Sequence, residues 1–87
     1  MEFEWDDAKD AANRAKHGLA LAEAARMDWA APTALDARRD YGEPRWVLYG
    51  AIDGVAHVCT FTLRGGRTRI TSLRRANRRE RRRHGWG

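Results

Sequence analysis

The chain has 87 residues, with 17 Lys and Arg against 12 Asp and Glu, for a formal net charge of +5. Area scaling at this length buries roughly 64% of the unfolded surface, enough for one modest core in a single domain spanning 1–87 and not for two. No apolar run approaches the ~20 residues of a membrane span, and the single Cys59 excludes an internal disulfide and a cysteine-based zinc site.

Phe3-Glu4-Trp5 alternates apolar and polar residues, as a short edge strand does. The acidic start is unlike a secretory leader, and with the lone cysteine it predicts a cytoplasmic protein without a membrane anchor. Asp6 suits an N-cap, and the residues up to His17 read as a helix that Gly18 stops. On that helix Ala8, Ala12 and Ala15 form a narrow apolar stripe, while Lys9, Asn13, Lys16 and His17 share a different face. A second helix is expected from Leu21 to Asp28, and Pro32 ends anything helical. From Ala34 to Pro44 the pattern is a short strand followed by a polar loop.

From Arg45 the pattern turns to β. Arg45–Ile52, Val55–Arg64 and Arg67–Arg74 are joined by Asp53-Gly54 and Gly65-Gly66, both two-residue hairpin signals. Counting outward from those turns puts Trp46, Leu48, Ile52, Val55, Cys59, Phe61, Leu63 and Ile70 on one face, the expected core. The opposite face then carries a row of Arg45, Thr62 and Arg69, followed by Val47, Thr60 and Thr71, then Tyr49, Val58 and Leu73. Arg64 and Arg67 extend that face at the turn, while His57 and Arg74 pair on the core face opposite Gly50. Asn77-Arg78-Arg79-Glu80 fits a capping box that opens a short helix to about His84. The expected fold class is α+β: an antiparallel sheet of about four strands, two N-terminal helices on one face, and a short C-terminal helix.

Charge is unevenly placed. Residues 1–63 hold 7 basic and 11 acidic side chains, net −4, whereas residues 64–87 hold 10 Arg and only Glu80, net +9. Such a block attracts phosphate backbones, because each neutralised phosphate releases a counterion. GC-rich coding explains Arg over Lys, but not why ten of fifteen arginines sit in the last 24 positions.

Several motifs follow one another in a specific order. They are Trp5-Asp6-x-x-Lys9-x-x-x-Asn13-x-x-Lys16-His17-Gly18, Glu23-Ala24-Ala25-Arg26, Asp28-Trp29, and Arg38-Arg39-Asp40-Tyr41-Gly42-Glu43-x-Arg45. Arg64-Gly65-Gly66-x-x-Arg69-Ile70-x-Ser72-Leu73-Arg74-x-Ala76-Asn77-x-x-Glu80 closes the series. Over nearly its whole length the chain resembles the BrnT toxins of type II toxin–antitoxin systems. That resemblance implies a RelE-like fold and an endoribonuclease that inhibits translation and growth. It also implies neutralisation by a cognate BrnA-type, ribbon-helix-helix-like antitoxin, in a heterotetramer. The chain departs from the family pattern at His84, where Tyr is common, and at Leu21, where Phe is.

The Arg45–Thr62–Arg69 row follows from strand pairing alone. Like charges across strands with no acid opposite are poor for stability, whereas guanidinium forks bind phosphate oxygens and stabilise a phosphorane-like transition state. His57 reads either as a base near that site or as a core-margin histidine held by hydrogen bonds. Glu80 is a candidate base whose capping box is already a sufficient role. His84, one turn later, is the better proton-transfer candidate, since an imidazole can both accept and donate a proton, unless it is a frayed surface residue. Lys9, Lys16, His17, Tyr49 and His57 are candidate contacts for RNA or antitoxin, against the reading of the helix stripe as solvated surface.

The expected catalytic set is therefore Arg45 and Arg69 for charge, with Glu80 or His84 for proton transfer. Arg64, Arg67, Arg74, Arg75, Arg78 and Arg79 would hold the RNA backbone. No paired metal-ligand spacing occurs, so no metal or cofactor is expected. The alternative function is a noncatalytic basic nucleic-acid-binding module.

Overall fold

A computed structural model describes residues 1–36 and 42–86. The two glycine-bearing turns close their hairpins as expected. Asp53, Gly54, Gly65 and Gly66 all lie at positive φ, between 52° and 79°, as two-residue turns matched to the strand twist require. The strands β3 (Trp46–Ile52), β4 (Val55–Arg64) and β5 (Arg67–Arg75) flank them. Two more strands complete the sheet: β1 (Glu2–Glu4) and β2 (Thr33–Leu35). The order is β1-β5-β4-β3-β2, with β1 parallel to β5 and the other pairs antiparallel. The sheet is thus five-stranded and mixed, not four-stranded and antiparallel. A three-residue strand carries no orientation signal of its own; β1 is held beside β5 by Phe3 against Trp29 (centroids 5.2 Å apart) and by the Glu4–Arg69 ion pair.

The β3–β4 register is the expected one, with Trp46 opposite Phe61 and Gly50 opposite His57. Next to the second turn β4–β5 also agrees, pairing Arg64 with Arg67 and Thr62 with Arg69. Beyond that a bulge intervenes: Phe61 pairs with Ile70 but Thr60 with Ser72, leaving Thr71 as the extra residue. The Thr71 hydroxyl donates to the Thr60 carbonyl at 3.0 Å. Every later residue of β5 changes face. Leu73, expected on the polar face, is fully buried in the core, and Arg74, expected in the core opposite His57, moves to the cationic face. His57 pairs with Arg75 instead. Plain alternation would have exposed a leucine and buried a guanidinium, and one extra residue removes both costs.

The core unites Leu21, Ala24, Met27, Leu48, Ile52, Cys59, Phe61, Ile70 and Leu73, with Phe3, Trp5, Trp29 and Trp46 around them. Val55 and Leu63, expected there, are 47% and 61% exposed, because they lie at the two ends of β4 beyond the helical cover. The expected second helix is a 3-10 segment, Leu21–Arg26. Ala20 provides no side-chain cap, and the Ala24 carbonyl receives Met27 N–H and the Trp29 indole N–H (2.9 Å), so the chain turns to deliver Trp29 to the core.

Helix α1 (Asp7–His17) has the expected caps, with Asp6 accepting from Ala8 N–H and Gly18 at φ 70°. It does not dock through its alanines, since Ala8, Ala12 and Ala15 are exposed. It docks through Asn13, only 6% exposed. The Asn13 amide donates to the Leu73 carbonyl at 2.8 Å and accepts Leu73 N–H at 3.1 Å, while also donating to the Leu19 carbonyl. Asn13 thereby takes the place of a neighbouring strand where β1 no longer covers β5. Helix α2 (Arg78–Arg83) opens with the expected reciprocal Asn77–Glu80 capping box. Its approach to the sheet rests on a small apolar patch of Ala56, Val58 and Ala76, flanked by Val47 and Tyr49.

Candidate active site

The bulge brings Arg74 onto the same face as Tyr49, and α2 lowers Glu80 between them. Arg74 donates from both terminal nitrogens to the two Glu80 oxygens, at 2.6 and 2.7 Å. The Tyr49 hydroxyl donates to Glu80 Oε2 at 3.1 Å, and Asn77 N–H donates to Oε1 at 2.9 Å. The His84 ring stacks on Tyr49, with centroids 3.7 Å apart and planes inclined by 29°. Beside this cluster opens a cavity of about 350 Å³ lined by Asp36, Tyr49, Thr60, Ser72, Arg74 and Glu80.

The electrostatics fix protonation states. Hydrogen bonds from Arg74, above all, and from Asn77 N–H hold Glu80 down to a pKa of about 2, so it is an ionised anchor. Burial first, and then the Glu80 charge, push the Tyr49 phenol above its ordinary value, so its hydroxyl keeps its proton. The result is a guanidinium, a phenol and an imidazole organised about one carboxylate.

The family model for the ribonuclease toxin BrnT of type II toxin–antitoxin systems matches residues 5–80. The chain belongs to the BrnT toxin family. No curated protein matches it. The family is one of ribonuclease toxins, and membership of a type II system implies an antitoxin partner. The BrnT match includes Tyr49, Arg74 and Glu80 and ends before His84.

The other expected BrnT site residues fall into separate groups. In the arginine row acids do lie opposite, contrary to expectation. Arg69 donates to Glu4 at 2.5 Å, Arg67 lies 3.4 Å from Glu2, and Arg64 holds Glu43 at 2.7 and 3.2 Å. Hydrogen bonds from Arg64 lower the Glu43 pKa. Glu2 and Glu4 come from β1, far from the row in sequence, and Glu43 from the segment before β3. Thr62, between the row's arginines, is buried, and its hydroxyl has no hydrogen-bond partner among the described residues.

Arg45, half-buried, lines a second cavity of about 390 Å³ together with Lys9, Lys16, His17, Thr71 and Ser72. Burial, and then the Lys16 and Arg74 cations, lower the His17 pKa. His57 is on the helix side of the sheet, buried, its Nδ1 donating to the Val55 carbonyl at 2.6 Å, and it lines a third cavity together with Arg75. Both are thus apart from the cationic face. Arg78 and Arg79 are exposed on α2. Arg38, Arg39, Asp40 and Tyr41 lie outside the described residues.

The pairing of Tyr49 with Glu80 and Arg74 escaped sequence reasoning, although a signal existed: uninterrupted alternation left Leu73 and Arg74 on the wrong faces. Among the described residues no three His, Cys, Asp or Glu side chains form a metal-ligand set, and no helix is long and apolar enough to cross a membrane.

Proposed function

We propose that this BrnT-family toxin is an endoribonuclease that cleaves RNA without a metal, at the cluster of Tyr49, Arg74, Glu80 and His84. The single observation carrying this reading is the carboxylate-organised cluster beside an open cavity on a cationic sheet face. RNA carries its own nucleophile. The 2′-hydroxyl attacks the adjacent phosphorus, the new O2′–P bond forms as P–O5′ breaks, and the products are a 2′,3′-cyclic phosphate and a 5′-hydroxyl. His84 takes the 2′-hydroxyl proton and returns it to the departing 5′-oxygen. Arg74 stabilises the charge on the phosphorane-like transition state, and Glu80 and Tyr49 hold Arg74 and His84 in position. Arg69 joins them when phosphate displaces Glu4. Arg64, Arg67, Arg78 and Arg79 attract the RNA backbone.

The reading extends to a RelE-like fold over a single domain 1–87, acting in the cytoplasm to inhibit translation and growth. A BrnA-type, ribbon-helix-helix-like antitoxin then restrains it in a heterotetramer. Its support is the family membership together with the α+β sheet whose cationic face carries the cluster.

Incubating pure protein with RNA in EDTA tests the mechanism: cleavage to 2′,3′-cyclic phosphate and 5′-hydroxyl ends is expected. Products with 3′-hydroxyl ends overturn it, and RNA bound but intact establishes the noncatalytic binding module instead.

A further inference from the structure

The polar stripe of α1 is divided by the fold. Asn13 turns inward to the Leu73 backbone, whereas Lys9, Lys16 and His17 line a cavity with Arg45, Thr71 and Ser72. Three observations distinguish this cavity from the arginine row. Arg64, Arg67 and Arg69 are each engaged by a carboxylate, but neither Lys9 nor Lys16 has an ion-pair partner among the described residues. Asp6 caps Ala8 N–H, and Asp10 accepts Leu21 N–H at 2.8 Å while pairing with Arg14 at 3.2 Å, so neither carboxylate serves the lysines. Ser72 lines this cavity and also the one beside Glu80, so the two meet across β5.

We propose that Lys9, Lys16, His17 and Arg45, with the Thr71 and Ser72 hydroxyls, form a subsite for a backbone phosphate of single-stranded RNA next to the cleavage centre. The inference rests on the ribonuclease reading only for what the neighbouring centre does to the bound strand. Two ammonium point charges and a guanidinium set the preference for an anion, and the hydroxyls donate to its oxygens. Continuity with the Arg74–Glu80 cavity favours a polyanionic strand running through both over an acidic protein segment. That Lys16 and Arg74 are the cations depressing the His17 pKa agrees with this placement, because both charges reach the imidazole.

The test uses the full chain and a fluorescent 2′-O-methyl RNA oligonucleotide, which binds but cannot undergo 2′-hydroxyl attack. The variant Lys9→Ala/Lys16→Ala removes exposed side chains and leaves the fold intact. It should weaken binding about tenfold and reduce the slope of log affinity against log salt by about 0.7, the value for one phosphate contact on a single strand. The His17 ring resonances should move when the oligonucleotide is added to the unaltered protein. Unchanged affinity and salt slope, or unmoved His17 resonances, overturn the subsite. So does a variant that keeps oligonucleotide binding while losing binding to a poly-glutamate peptide, since the patch then serves an acidic protein partner. Failure of the unaltered protein to cleave ordinary RNA sinks the ribonuclease reading alone, because the binding measurement is independent of cleavage.

Discussion

Arg74 grips both oxygens of Glu80, six residues along the chain, across the junction between β5 and α2. The pair ties the last strand to the last helix, and its carboxylate also receives the Tyr49 hydroxyl. Its formation depends on the bulge at Thr71, since without it Arg74 would point to the opposite face of the sheet.

Because Glu80 has a pKa of about 2 in the fold, below the ordinary ~4.3 of an unfolded glutamate, its stabilisation is complete above about pH 4.5. It is lost progressively as the pH falls from there towards 2. Glu80→Gln should therefore cost about 1–2 kcal/mol at pH 7, after allowance for solvent screening, and almost nothing at pH 2. Urea unfolding of both proteins across this range measures it; a constant difference at all pH values contradicts the ionised anchor.

Asn13→Ala should destabilise the protein by about 3 kcal/mol, because it leaves buried Leu73 N–H and C=O groups unpaired. Asn13→Asp should be at least as damaging, since a carboxylate cannot donate to the Leu73 and Leu19 carbonyls. A loss under about 0.5 kcal/mol for Asn13→Ala in chemical denaturation would show that α1 is held by other contacts.

Thr71→Ala removes one hydroxyl hydrogen bond and should cost about 1 kcal/mol. Deleting Thr71 should cost under about 2 kcal/mol, because Phe61–Ile70, Thr60–Ser72, Cys59–Leu73 and Val58–Arg74 then pair without interruption and Leu73 and Arg74 keep their faces. A deletion variant that fails to fold would mean that the bulge does more than set the faces of β5.

Arg69→Ala should lower RNA cleavage at least tenfold while costing under about 1 kcal/mol of stability, the range of a partly exposed ion pair. Glu4→Gln, which releases Arg69 for phosphate, should maintain or raise cleavage. If Glu4→Gln instead reduces cleavage as much as Arg69→Ala, the pair acts only by fastening β1 to β5.

His84→Ala should reduce the rate of cleavage by about 10²-fold or more, the range for removing a proton-transfer group. His84→Tyr preserves a ring against Tyr49 but not a base suited to neutral pH, so it should also be slow. Full activity after truncation following Arg83 would make His84 a surface residue and leave the chemistry to the arginines.

What the sequence by itself determined about this protein is local or nearly so. The caps Asp6 and Gly18, the two glycine turns, the Asn77–Glu80 capping box and the β3–β4 register all follow from contacts within a few residues or from counting outward from a tight turn. The ordered motifs likewise pointed to the family. The tertiary structure decided everything that depends on a distant partner. An asparagine on a helix looks solvated until it meets an open strand edge, and an arginine row looks unbalanced until a three-residue strand brings Glu4 beside it. One extra residue in β5 placed Arg74 against Glu80 and Leu73 in the core, because burying the leucine and keeping the guanidinium out of the core outweighed unbroken pairing.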